Sequence, residues 1–148
     1  MTPHIETFTG VRFQPLAPVV ADIRLVDIAH ALGNQCRFSG HVRHFYSVAE
    51  HSVRVSREVE RRALEACPPK GARALALWGL LHDASEAYLV DLPTPLKGDA
   101  LIGTGYRAAE ATLMRAVCLR FGLPLEMPGI VAEVDAALLV TEVRDLMF

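Results

Sequence analysis

Four residues of this 148-residue chain combine side-chain type and setting in a way that suits metal chemistry: His51, His82, Asp83 and Asp135. His51 falls on the helical face that Val48, Val55 and Val59 share. His82 and Asp83 follow Leu80 and Leu81 directly, and Asp135 sits between Val134 and Leu138. An ionised carboxylate in a core costs several kcal/mol unless it is paired or bound to metal. Two imidazoles and two carboxylates can satisfy one another around a divalent cation, and that donor set suits Mn, Fe, Co, Ni or Zn better than calcium. Adjacent residues on a helix differ by about 100° in direction, so His82 and Asp83 can both reach one ion. Taken singly, a buried histidine or aspartate is more often a hydrogen-bonded core residue. It is the four together that favour a metal.

The elements that must position them read as helices. Leu25, Ile28, Ala29 and Leu32 recur at helical spacing and predict a short helix over 24–32, stopped by Gly33-Asn34. Ser47 with Glu50 three residues on is a capping box opening a second helix, which should run to Ala66 and end at Cys67-Pro68-Pro69. A third, apolar on most sides, is predicted from Gly71 through Tyr88 as the central helix of a bundle. The segment "DLPTPLK" then reads as a rigid turn. A fourth helix is expected from Ala100 to Phe121, stopped by Gly122 and Pro124, and a fifth from Pro128. The last helix reaches Phe148 with no glycine, proline or basic cap, which implies a longer natural chain. Residues 1–20, with Pro3, Gly10, Pro15 and Pro18, read as an extended or hairpin-like arm, and residues 34–46 as a loop rich in arginine and histidine. The fold class is all-α, a bundle of five to six helices in one domain over 22–148, behind an arm over 1–21.

The formal net charge is −2 and half the residues are apolar, so nothing favours duplex nucleic acid or an anionic membrane. The longest apolar run, Ala74 to Leu81, is too short to span a bilayer, and the N-terminus has no signal-peptide pattern. Cys36, Cys67 and Cys118 match no metal spacing and read as reduced thiols of a cytoplasmic protein.

The order His51, His82-Asp83, Asp135 resembles the H…HD…D signature of the HD-domain metal-dependent phosphohydrolases. The segments "YSVAEHSVRVS" and "LLHDASEAYLVDLPTPLK" resemble those of bacterial 5′-deoxynucleotidases and of small phage and bacterial HD hydrolases. With the lead-in "DIAHALGNQCRFSGH", the likeness covers residues 22–97 and reaches Asp135 by position. It implies an HD-domain bundle in which His51, His82, Asp83 and Asp135 ligate the metal. It implies that Glu86, predicted on the face of His82 at i+4, handles the metal water, and that Asp91 orients water or sugar. Arg37 would grip phosphate, its guanidinium fork suiting that anion, while the Phe38 ring packs on deoxyribose. Phenylalanine stands here where the relatives carry tryptophan, and the spacing differs by one residue. His41 and His44 are further candidates to face phosphate. Pro93 and Pro95 would shape one wall of the pocket, with Pro95 against substrate, and would place Lys97 toward the phosphate tail.

The expected activity is phosphate release from deoxynucleoside 5′-monophosphates by a metal-activated water, with one divalent ion (Mn, Co, Fe, Ni, Zn or Mg). The alternatives are a deoxynucleoside triphosphate triphosphohydrolase and a non-catalytic module that binds metal or nucleotide. Expected partners are a small nucleotide and further copies of the chain, with neither duplex nucleic acid nor membrane.

Overall fold

The computed structural model describes residues 3–66 and 68–148, so the expectation for Cys67 lies outside the described residues. Those residues form an all-α bundle. Its long helices are α1 (Leu25–Asn34), α2 (Val48–Ala63), α3 (Pro69–Leu81), α6 (Ile102–Phe121) and α7 (Gly129–Leu146), with short α4 (Glu86–Leu89) and α5 (Thr94–Gly98) between them. The N-terminal segment forms a two-stranded antiparallel hairpin, β1 (Ile5–Glu6) with β2 (Arg12–Phe13), in which Ile5 faces Phe13. Phe13 is fully buried and stacks on Tyr88, ring centroids 4.1 Å apart, so the hairpin closes one end of the core. No helix of the described residues is long and apolar enough to cross a membrane.

Two antiparallel helices, α2 and α3, make the most extensive packing in the molecule, and α7 lies against both. The reason is local to the sequence. Val48, His51, Val55 and Val59 form one fully buried stripe of α2. On α3, Gly79 lets the backbones approach, because a Cβ there would stand 3.3 Å from the Ser56 Cα. The Ser56 hydroxyl donates to the Ala76 carbonyl at 2.8 Å and fixes the register. That register brings the first turn of α2, with His51, beside the last turn of α3, with His82.

Three local expectations are corrected. The third helix does not run to Tyr88: after Leu81 the chain tightens into three-residue hydrogen bonds (Ala84 N–H to Leu81 O, Glu86 N–H to Asp83 O) before α4 begins. Glu86 therefore does not lie one regular helical turn above His82. The proline segment is not only a turn, because Pro93 caps and Pro95 opens the short helix α5, where a missing N–H costs nothing. Residues 37–40 are not featureless loop but a tight turn in which Phe38, Ser39 and Gly40 all take positive φ, at 55°, 54° and 81°.

Candidate metal centre

His51 and His82 meet with their Nε2 atoms 3.3 Å apart. Each ring is held by its other nitrogen. His51 Nδ1–H donates to Glu142 Oε1 at 2.7 Å, and His82 Nδ1–H donates to the Gly79 carbonyl at 2.8 Å. With Nδ1 committed to an acceptor, Nε2 is the nitrogen that faces the shared space, the arrangement usual for metal-binding histidines.

Two carboxylates close on the same point. Asp83 Oδ2 lies 3.2 Å from His82 Nε2 and 3.9 Å from His51 Nε2. Asp135 Oδ1 lies 3.1 Å from His51 Nε2 and 3.8 Å from His82 Nε2. Donor atoms about 2.0–2.2 Å from a common ion sit about 3.0–3.5 Å from one another, close to the separations found here. His51, His82 and Asp83 form a cluster within metal-binding reach. Asp135 approaches from α7 with 41% of its side chain exposed, more open than its place between Val134 and Leu138 suggested.

The local field favours a cation. Asp83, Glu86, Asp91, Asp135 and Glu142 gather around the permanent cations Arg37 and Lys97. Burial opposes charge on His82, yet the Asp83 carboxylate beside it, with Asp135, pushes its pKa up to about 9. His51 is likewise raised against its burial, through its hydrogen bonds to Asp135 and Glu142. Burial also works against Asp83, but His82, His51 and Arg37 hold its carboxyl well below the usual range. The His51, His82 and Asp83 cluster is thus compatible with a bound cation.

Above the cluster opens a cavity of about 600 Å³. Asp83, Glu86, Asp91 and Asp135 line it, with Arg37, Phe38, His41, Pro95 and Lys97, whereas His51 and His82 are not among its lining residues. His44 is exposed and not among its lining residues. Arg37 is not free: its guanidinium lies 3.6 Å from Asp83 and 3.1 Å from Glu142, and rests against the Phe38 ring. Lys97 donates to Glu86 Oε1 at 2.9 Å and to Glu110 Oε1 at 3.1 Å. A side chain at Gly103 would collide with the Lys97 carbonyl, so glycine there is what lets α6 approach α5. Burial, with Asp83 and Asp91 near it, pushes Glu86 up to about 8 while Lys97 pulls the other way. Its Oε2 is buried with no protein partner.

Sequence reasoning missed Gln35, Tyr46, Glu110 and Glu142. Gln35 donates to the Glu86 carbonyl at 3.0 Å and accepts from the Asp91 N–H at 3.1 Å, so one side chain fixes the backbone of both acidic residues. Glu142 did leave a signal: it follows Asp135 by seven residues and so shares its helical face.

Asp91 is also aimed by strain. Val90 takes φ 71°, ψ 148°, a region costing a β-branched residue about 1–3 kcal/mol. It is held there by its N–H to the Glu86 carbonyl (2.9 Å) and by Tyr106 Oη donating to its own carbonyl (2.6 Å). The Val90 side chain is exposed and packs little. Val90→Gly should therefore raise stability by about 1 kcal/mol, the strain relieved less the added freedom of the unfolded glycine. A lower denaturant midpoint for the variant would show that the conformation carries no strain.

No family model matches the chain. It is 38% identical over 142 residues to the uncharacterized protein YfdR of Escherichia coli, an alignment spanning 96% of this chain and 71% of that protein. It is 43% identical over 123 residues to the uncharacterized protein RCAP_rcc00048 of Rhodobacter capsulatus, covering 82% of this chain and 59% of that one. At that identity and coverage the chain belongs to the family of YfdR.

Proposed function

We propose that the chain is a metal-dependent phosphohydrolase acting on small nucleotides, releasing inorganic phosphate from deoxynucleoside 5′-monophosphates. The observation that carries this reading is that metal-type donors and phosphate-type cations open into one cavity: Asp83 and Asp135 beside Arg37 and Lys97. Its volume suits a mononucleotide. The resemblance to HD-domain hydrolases supports the same chemistry.

In this reading His51, His82, Asp83 and Asp135 hold one divalent ion. When bound, such an ion acts as a Lewis acid and makes a water nucleophilic at neutral pH. The protein supplies the rest. Arg37 offers its fork to phosphate oxygens and neutralises the charge that grows there. Glu86, which lines the cavity beside Asp83, takes a proton from the attacking water or returns one to the leaving oxygen. Lys97 fixes Glu86 through Oε1 and adds positive charge, and Asp91 orients water or sugar.

Phe38 forms the sugar wall. A ribose 2′-hydroxyl against that ring loses its hydration, at about 1–3 kcal/mol on mutational scales. Deoxynucleotides should be preferred about tenfold, the low end of that range because phenylalanine is smaller than tryptophan. The test is a panel of dNMPs, NMPs and dNTPs with Mn, Co and Mg, with the phosphate species identified. Inorganic phosphate from dNMPs supports the proposal, and tripolyphosphate from dNTPs would replace it with the triphosphohydrolase. A dNMP/NMP ratio of kcat/KM that Phe38→Ala leaves unchanged would remove Phe38 from the sugar site.

A further inference from the structure

We infer that Glu142 is a positioning residue that builds the metal centre and the phosphate site from one carboxylate, aiming His51 with one oxygen and anchoring Arg37 with the other. This rests on the metal-binding reading above.

Glu142 is 5% exposed on α7 and collects groups from two other parts of the chain. Its Oε1 accepts from His51 Nδ1–H at 2.7 Å and from Tyr46 Oη at 2.6 Å. Its Oε2 stands 3.1 Å from an Arg37 terminal nitrogen, close enough for an ion pair but without hydrogen-bond alignment. Each contact has a separate consequence. The bond to Nδ1 turns His51 Nε2 toward the cluster, and an anionic acceptor makes that nitrogen a better donor to a metal. The Arg37 pair holds the guanidinium at the cavity wall, where Asp83 is 3.6 Å from it. Tyr46 fixes the carboxylate itself, because its backbone carbonyl accepts the Arg37 N–H at 2.9 Å and so closes the base of the 37–46 loop.

An acid needed only to fill this space could be replaced without moving the ion. An acid that aims His51 cannot, since loss of the outer partner of a ligating histidine typically weakens metal binding by about 10–100-fold. The experiment is a Co(II) titration of the metal-free chain, of Glu142→Ala and of Glu142→Gln, with circular dichroism to confirm the helices. Glu50→Gln, an exposed carboxylate paired with Arg54, is the control. Glu142→Ala should raise the Kd about 10–100-fold. Glu142→Gln, which keeps an acceptor for Nδ1–H but loses the charge, should raise it by a smaller factor of at least about threefold.

A second readout follows the ring itself. In the zinc-loaded chain the His51 Nδ1 proton should be a slowly exchanging, downfield NMR signal, retained in Glu142→Gln and lost in Glu142→Ala. If Glu142→Ala does not fold, the Gln titration decides alone. Affinities within about twofold of the unaltered chain in the folded variants would overturn the inference while leaving the metal reading intact. Failure of the unaltered chain to bind Co(II) would overturn both.

Discussion

Glu86→Gln should keep its fold and its metal ion yet turn over substrate at least about a hundredfold more slowly, the range typical of an acid–base group. Glutamine matches glutamate in size, and its amide oxygen can still accept from Lys97, which reaches Oε1 at 2.9 Å. The substitution therefore spares the Lys97–Glu110 brace and removes only the ability to take or give a proton. Glu86 is placed for that task because it lines the same cavity as Asp83 and Asp135. The measurement is kcat/KM for a deoxynucleoside monophosphate, with metal content determined on the same sample. Near-normal turnover would assign the proton to another group, with Asp91 the nearest candidate in the cavity lining.

His82→Ala and Asp83→Ala should each lose most of the bound ion, by more than the 10–100-fold that follows loss of an outer partner. Both residues directly follow α3, where the Gly79 carbonyl fixes the His82 ring and Asp83 Oδ2 lies 3.2 Å from its Nε2. Removing the imidazole deletes a donor and leaves Asp83 without its closest partner. Phosphate release should fall with the ion while the helical circular dichroism persists, since the α2–α3 packing is carried by Val55, Val59, Gly79 and the Ser56–Ala76 bond rather than by the site. Full metal retention in both variants would dissociate these residues from metal binding.

What could be read from the sequence was what local chemistry decides. The α2 stripe with His51 inside it follows from the 3.6-residue period, and Ser47 does cap that helix, accepting from the Glu50 N–H at 3.0 Å. The rest of the capping box is absent because the Glu50 carboxylate turns to Arg54 instead. Gly122 ends α6 in the left-handed conformation that glycine allows. The break after Leu81 had no such signal, because residues 82–89 contain neither glycine nor proline and continue a helical pattern. Beyond it, Gln35 reaches across to the Glu86 carbonyl and the Asp91 N–H, a contact between residues far apart in the sequence. Phe38 and Ser39 at positive φ are equally silent, since neither side chain favours that conformation. The network of Glu142, Tyr46 and Arg37 joins residues up to 105 positions apart, from Arg37 to Glu142, and only the folded bundle brings them together. The inward donors were therefore legible as a set, while the groups that aim them were not.

The most direct test is the ion content of the unaltered protein. The purified chain is loaded with Co(II), freed of excess by desalting, and assayed for cobalt and protein on the same sample. A site built from His51, His82, Asp83 and Asp135 predicts about one ion per chain, lost on treatment with a chelator and accompanied by phosphate release from a deoxynucleoside monophosphate. Folded protein that retains no cobalt above background, and no other divalent ion in its place, would contradict it.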